Sequence, residues 1–221
     1  LKPCFQRKKY FCSFNKDDNV SRVFLMGNSI MASIQEEMKE NLSIRGLNFT
    51  PMTRSVGKSS KYYENRKNKI LETKNSTIIF NFQYNEEKEE LYVLIKKIKF
   101  FLKKNYKIIL IYPTPQFNEN ISDLLTKKIL SKKNDYKKNY INIPYAEYQN
   151  RTKFIFEEFD KLKHQNLYKM YPHKIFCNSM VKNKCIAHNS KETFFIDGVH
   201  ISKKGSILIN IDLMKIIDKI Y

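Results

Sequence analysis

The chain has 221 residues, 42% of them hydrophobic, and a formal charge of +19 at pH 7. That length supports one domain with a real core, and no uninterrupted apolar run approaches the roughly 20 residues that span a bilayer. The 41 Lys and Arg residues are scattered among Asn and Ile, without an Arg-rich stripe, an RNA-binding aromatic signature or zinc-finger spacing, so nucleic acid ranks last among partners. Two readings of the charge stay open: Lys filling solvated faces in the product of an AT-rich genome, or attraction to an acidic partner such as an anionic glycan or lipid head group.

Residues 1–18 are polar, cysteine-bearing and weakly periodic, which predicts an N-terminal extension lying on a domain that spans 19–221. The chain opens at Leu1 without a signal-peptide pattern and reads as a trimmed piece of something longer, with any membrane anchor upstream. Val20–Met26 is an apolar run suited to a buried strand, Ile30–Leu42 has helical spacing, and Gly46–Thr50 suits a second short strand. Thr77–Phe82 is a β-branched strand, followed by a charged amphipathic helix through about Lys104. Lys107–Tyr112 is another buried strand, ended by Pro113 and Pro115. Helices are expected near 119–131 and 145–163, a strand around Leu167–Tyr171, and a last helix from about Ser202, its N-cap, to Ile220. Apolar strands separated by helices predict a parallel sheet covered on both faces. Ligands of such sheets bind beyond the carboxyl ends of the strands, and Ser29 stands just past the first.

The cysteines fall in two close pairs, Cys4/Cys12 and Cys177/Cys185. Neither has CxxC spacing or a neighbouring His cluster, so no metal site is expected. Two local disulfides fit better than four unrelated reduced thiols, and they imply an oxidising compartment.

Two stretches carry the chemistry: VFLMGNSIMA at 23–32 and FFIDGVHISKKG at 194–205. A serine hydroxyl needs an adjacent base, itself oriented by a third group, before it becomes a good nucleophile. GNSIM gives a strand-to-helix turn in which Gly27 permits a tight backbone and the Ser29 N–H can face an oxyanion. The competing reading of Ser29 is a plain helix cap. The missing second glycine of G-x-S-x-G argues against an α/β-hydrolase. In Asp197-Gly-Val-His200, a carboxylate and an imidazole share one loop ahead of the last helix. His200 is then the candidate base for Ser29, with Asp197 fixing its tautomer. His164, His173 and His188 have no such company and read as ordinary surface or structural residues.

Together these stretches resemble the SGNH (GDSL-like) hydrolase superfamily. The resemblance implies a three-layer α/β/α flavodoxin-like fold with a five-stranded, mainly parallel sheet, and acyl transfer or hydrolysis through an acyl-serine without a cofactor or metal. Asn28 stands where the family's first block usually has Asp. For the oxyanion hole the resemblance points to Ser29 itself, to Gly57 in TRSVGKSS and to Asn85 in FNFQYNEE, where the glycine and aspartate of Gly-x-Asn-Asp are missing. Asn85 reads equally well as a surface turn residue.

A narrower resemblance covers nearly the whole chain. Paired cysteines, Gly-x-Ser, YPTPQ, FCNSMVKNKC and FFIDGVHISKKG follow in the order of the SGNH domain fused behind acyltransferase-3-type membrane proteins, where the third block also carries an aromatic, here Tyr84. It implies a periplasmic domain tethered to the inner membrane, with the transmembrane acyltransferase domain as acyl supplier and a surface polysaccharide as acceptor. The alternatives are a secreted carbohydrate esterase with water as acceptor, and a non-catalytic carbohydrate-binding module on a decayed hydrolase fold.

Overall fold

The computed structural model describes residues 20–53, 60–73, 75–84, 87–130 and 140–221. The extension 1–18, with Cys4 and Cys12, lies outside them. In chain order the elements are β1 (Arg22–Met26), α1 (Ser29–Ala32), α2 (Gln35–Ile44), β2 (Asn48–Met52), α3 (Ser60–Leu71), β3 (Thr77–Asn81), α4 (Lys88–Lys103) and β4 (Lys107–Ile111). There follow α5 (Ile121–Leu130), β5 (Asn142–Pro144), α6 (Tyr145–Asp160), β6 (Leu167–Met170), α7 (His173–Phe176), β7 (Lys184–Ile186) and α8 (Lys203–Ile220).

The main sheet has the order β2-β1-β3-β4-β6, and every neighbouring pair is parallel. The sheet expected to be mainly parallel is wholly so. Its strands alternate between two cores with the period of two that a pleat imposes. Val23, Leu25, Ile79 and Ile109 pack with Met38 and Leu42 of α2 and with Ile209, Leu213 and Ile217 of α8. Phe24, Ile78, Phe80 and Ile108 face the other way, onto Ile70 of α3, Ile98 and Phe101 of α4, and Ile155 and Phe159 of α6. Each such fully buried side chain contributes about 1.5–3 kcal/mol relative to exposure. The result is three layers, α/β/α.

Local chemistry explains the departures from the expected elements. The helix expected over Ile30–Leu42 is broken at Ser33, whose hydroxyl bonds back to Ser29 O at 3.2 Å while Ile34 N–H bonds Met31 O. Gly46, expected to open a strand, instead ends α2 with φ of 67°, and Leu47 N–H closes the helix onto Leu42 O. Helix α3 gave no apolar period: among its described side chains only Arg66 and Ile70 are buried. Strands β5 and β7 pair antiparallel over three residues each, too short for alternation to show in sequence. The Cys177–Cys185 disulfide is formed and pins β7 to the end of α7.

From β1 the chain moves to one side to form β2 and then crosses back to form β3 on the other side. The crevice at such a reversal, outside the carboxyl ends of the strands, is where this architecture binds ligands. The residues following β1 and β3 therefore frame the candidate site.

Candidate active site

The first strand ends at Met26, and the chain turns through Gly27 and Asn28 into α1. Asn28 is the N-cap: its side-chain oxygen accepts the Ile30 N–H at 3.0 Å. The capping duty therefore falls on Asn28 and leaves the Ser29 hydroxyl for other work. The serine is exposed.

The second segment arrives from the opposite end of the chain. Ile196 N–H donates to His200 O at 2.8 Å, and Phe195 bridges Ile201, closing a tight loop over residues 197–199. Ser202 then caps α8 by accepting the Gly205 N–H at 3.1 Å. Inside the loop, Asp197 Oδ1 accepts the backbone N–H groups of Val199 and His200, both at 2.7 Å. Its other oxygen, Oδ2, lies 2.7 Å from His200 Nδ1, and His200 Nε2 lies 2.8 Å from Ser29 Oγ. With Nδ1–H donated to the carboxylate, Nε2 is the ring nitrogen left to accept the serine O–H. Burial acts to raise the Asp197 pKa. The N–H groups of His200 and Val199 and the imidazole outweigh it and hold the carboxyl below its ordinary value.

Ser29, Asp197 and His200 are thus brought into one hydrogen-bonded row. Gly57 and Asn85 lie outside the described residues. Tyr84, beside Asn85, is half-buried; its hydroxyl donates to Gln116 O at 3.4 Å and accepts from Arg151 at 3.3 Å. Burial raises the Tyr84 pKa against the opposing Arg151 charge, so the phenol stays protonated as a donor. The remaining histidines are structural or peripheral. His188 accepts the Ile141 N–H at 3.0 Å, His173 is buried among aromatic rings, and His164 accepts the Asn166 N–H in a turn. Among the described residues no three His, Cys, Asp or Glu side chains cluster as a metal site, and no helix is long and apolar enough to cross a membrane.

Sequence reasoning missed the floor of the site. Asn81 ends β3 against Gly27, and a polar residue closing the otherwise apolar run TIIF was the available signal. Arg151, which also donates to Asn118 Oδ1 at 3.2 Å, gave none, because on the sequence it is one more cation on a helix.

Residues 3–212 match the family described as SGNH domain (fused to AT3 domains). The chain belongs to that family. Membership supports an acyltransferase- or esterase-type activity and is consistent with an AT3 domain as partner. The SGNH fold itself recurs in solved structures. One is the periplasmic domain of a lipopolysaccharide acetyltransferase from Salmonella ser. Paratyphi A, with TM-score 0.62 and 17% identity, covering 91% of this chain and 85% of that one. Another is a putative platelet activating factor from Streptococcus pneumonia, with TM-score 0.54 and 14% identity over the same shares. At these identities the likeness is one of fold. Among curated proteins, none matches the chain in sequence.

Proposed function

We propose that the domain is an O-acyltransferase module that moves an acetyl group to a hydroxyl of a surface polysaccharide, using Ser29, His200 and Asp197. The observation that carries this reading is the row Ser29 Oγ–His200–Asp197, with contacts of 2.8 and 2.7 Å. Ser29 Oγ attacks the acyl carbonyl as its proton passes to His200 Nε2. The proton then goes to the leaving group, which departs and leaves an acyl-serine. An acceptor hydroxyl gives its proton to His200 and takes the acyl group, restoring Ser29. Asp197 holds the tautomer and balances the imidazolium that forms in each half. Ser29 N–H, Gly57 N–H and the Asn85 side chain are the proposed oxyanion donors.

Family fusion to AT3 domains supports a membrane-integral partner as acyl supplier, with this domain on the periplasmic face. The Cys177–Cys185 disulfide supports an oxidising compartment. The test is acetylation of the glycan by the full-length protein with and without Ser29→Ala. We expect a loss on the order of 10³-fold or more. Unchanged acetylation reduces the domain to a binding module. Ser29-dependent release of free acetate without glycan acetylation makes it an esterase.

A further inference from the structure

The strand that ends beside the nucleophile turn carries a buried polar residue whose side chain has no hydrogen-bond partner among the described residues. Ile79 and Asn81 lie on the same face of β3, and Ile79 belongs to the core under α2 and α8. Extending the β1–β3 register two residues beyond Leu25↔Ile79 sets Asn81 beside Gly27. The contact is direct: a Cβ on Gly27 would collide with Asn81 Oδ1 and with Met31 of α1. Gly27 can bear no side chain because a carboxamide and a methionine already fill that space. Asn81 therefore lies beneath the turn that delivers Ser29.

Asn81 is 7% exposed, yet neither Oδ1 nor Nδ2 has a hydrogen-bond partner among the described residues. Two residues on, Gln83 is wholly buried. Its Oε1 accepts from Thr114 and Gln116 at 3.4 Å each, and its Nε2 has no partner among the described residues. A buried amide without a partner costs stability, and leucine has nearly the same shape without that cost. Such an expense, placed under the nucleophile, points to a use in the reaction rather than in folding.

We propose that Asn81 is a positioning residue for Ser29. Its buried carboxamide packs against Gly27 and seats the Gly27–Ser29 turn. Oδ1 is the end that faces Gly27, so the carboxamide acts by holding the geometry of the turn, and acyl transfer is sensitive to displacement of its nucleophile by about an ångström. Asn81 acts through the turn and does not touch the substrate. This inference rests on Ser29 being the nucleophile.

The experiment compares wild type, Asn81→Leu, Asn81→Ala and Ser29→Ala. Three quantities are read: p-nitrophenyl acetate turnover, the rate of Ser29 labelling by a fluorophosphonate, and Tm. In Asn81→Leu we expect Tm to rise by about 2–4 °C. Labelling and kcat should fall on the order of 10-fold or more, with KM within about twofold. Asn81→Ala should show the same kinetic loss, which removes crowding of Gly27 by the leucine methyls as its cause. Labelling within twofold of wild type in both variants overturns the proposal. So does kinetic loss that tracks a fall of Tm in both, the mark of an ordinary packing residue. A wild type with no Ser29-dependent reaction overturns the nucleophile reading and this inference with it. A reactive Ser29 indifferent to Asn81 overturns this inference alone.

Discussion

Phe117 N–H donates to Gly198 O at 2.7 Å, and a Cβ on Gly198 would collide with Phe117 O and come within 3.3 Å of Glu119 O. The segment after β4 and the loop bearing Asp197 and His200 are thus in backbone contact, reinforced by the Phe117 and Phe195 rings at 4.9 Å. Gly198→Ala should push that loop away from Ser29. Expected are a stability loss of about 1–3 kcal/mol and a fall in Ser29-dependent turnover on the order of 10-fold or more. Denaturant unfolding and steady-state kinetics on one preparation check both, and a variant with unaltered kinetics would show that the loop tolerates displacement.

Asp197→Asn keeps an oxygen for the Val199 and His200 N–H groups but loses the charge that balances an imidazolium. Turnover should fall on the order of 10²–10⁴-fold with the fold retained, by analogy with other serine triads. Because the folded state holds this carboxyl below its ordinary pKa, its stabilising contribution is present above the ordinary carboxylate range and fades as pH falls through the lowered value. Acid titration of the variant's stability should lack that component. Full activity in Asp197→Asn would remove Asp197 from the mechanism.

Burial among Tyr145, Tyr148, Phe156 and Tyr171, helped by Lys174, lowers the His173 pKa to about 4. Between that value and about 6.5 the unfolded chain takes up a proton that the folded one refuses, so stability must drop as pH falls through this window. His188, lowered chiefly by burial, adds a decline of the same sign. His173→Phe should flatten the decline measured by thermal unfolding from pH 7 to pH 4. An unchanged slope would assign the acid sensitivity to other groups.

The Cys177–Cys185 bridge spans a sequence separation of 8. Closing so short a loop is worth about 2–3 kcal/mol in the chain-entropy account. Replacing both cysteines by serine should lower stability by that amount and loosen the β5–β7 pair that supports the approach to residues 194–200. Hydrogen exchange at the Ile143 and Cys185 amides is the local readout, and protection equal to wild type would mean the strands hold without the bridge.

The sequence by itself determined the layers and the partners in the row. Strands such as KIILI and TIIFN are apolar at consecutive positions, and only a sheet buried on both faces accommodates that. Gly-x-Ser after the first strand and Asp-x-x-His before the last helix were legible because catalysis needs particular side chains in short local motifs. Helix α3 and the β5–β7 pair were not legible, since the former has no apolar stripe and the latter is too short to show alternation. Tertiary structure alone decided why Gly27 and Gly198 bear no side chain, and that Asn81 lies beneath the Ser29 turn with no hydrogen-bond partner among the described residues. Each of these is a contact between segments far apart in the chain. Local propensity acts over a few residues, whereas close approach of backbones is set by how whole strands and loops pack.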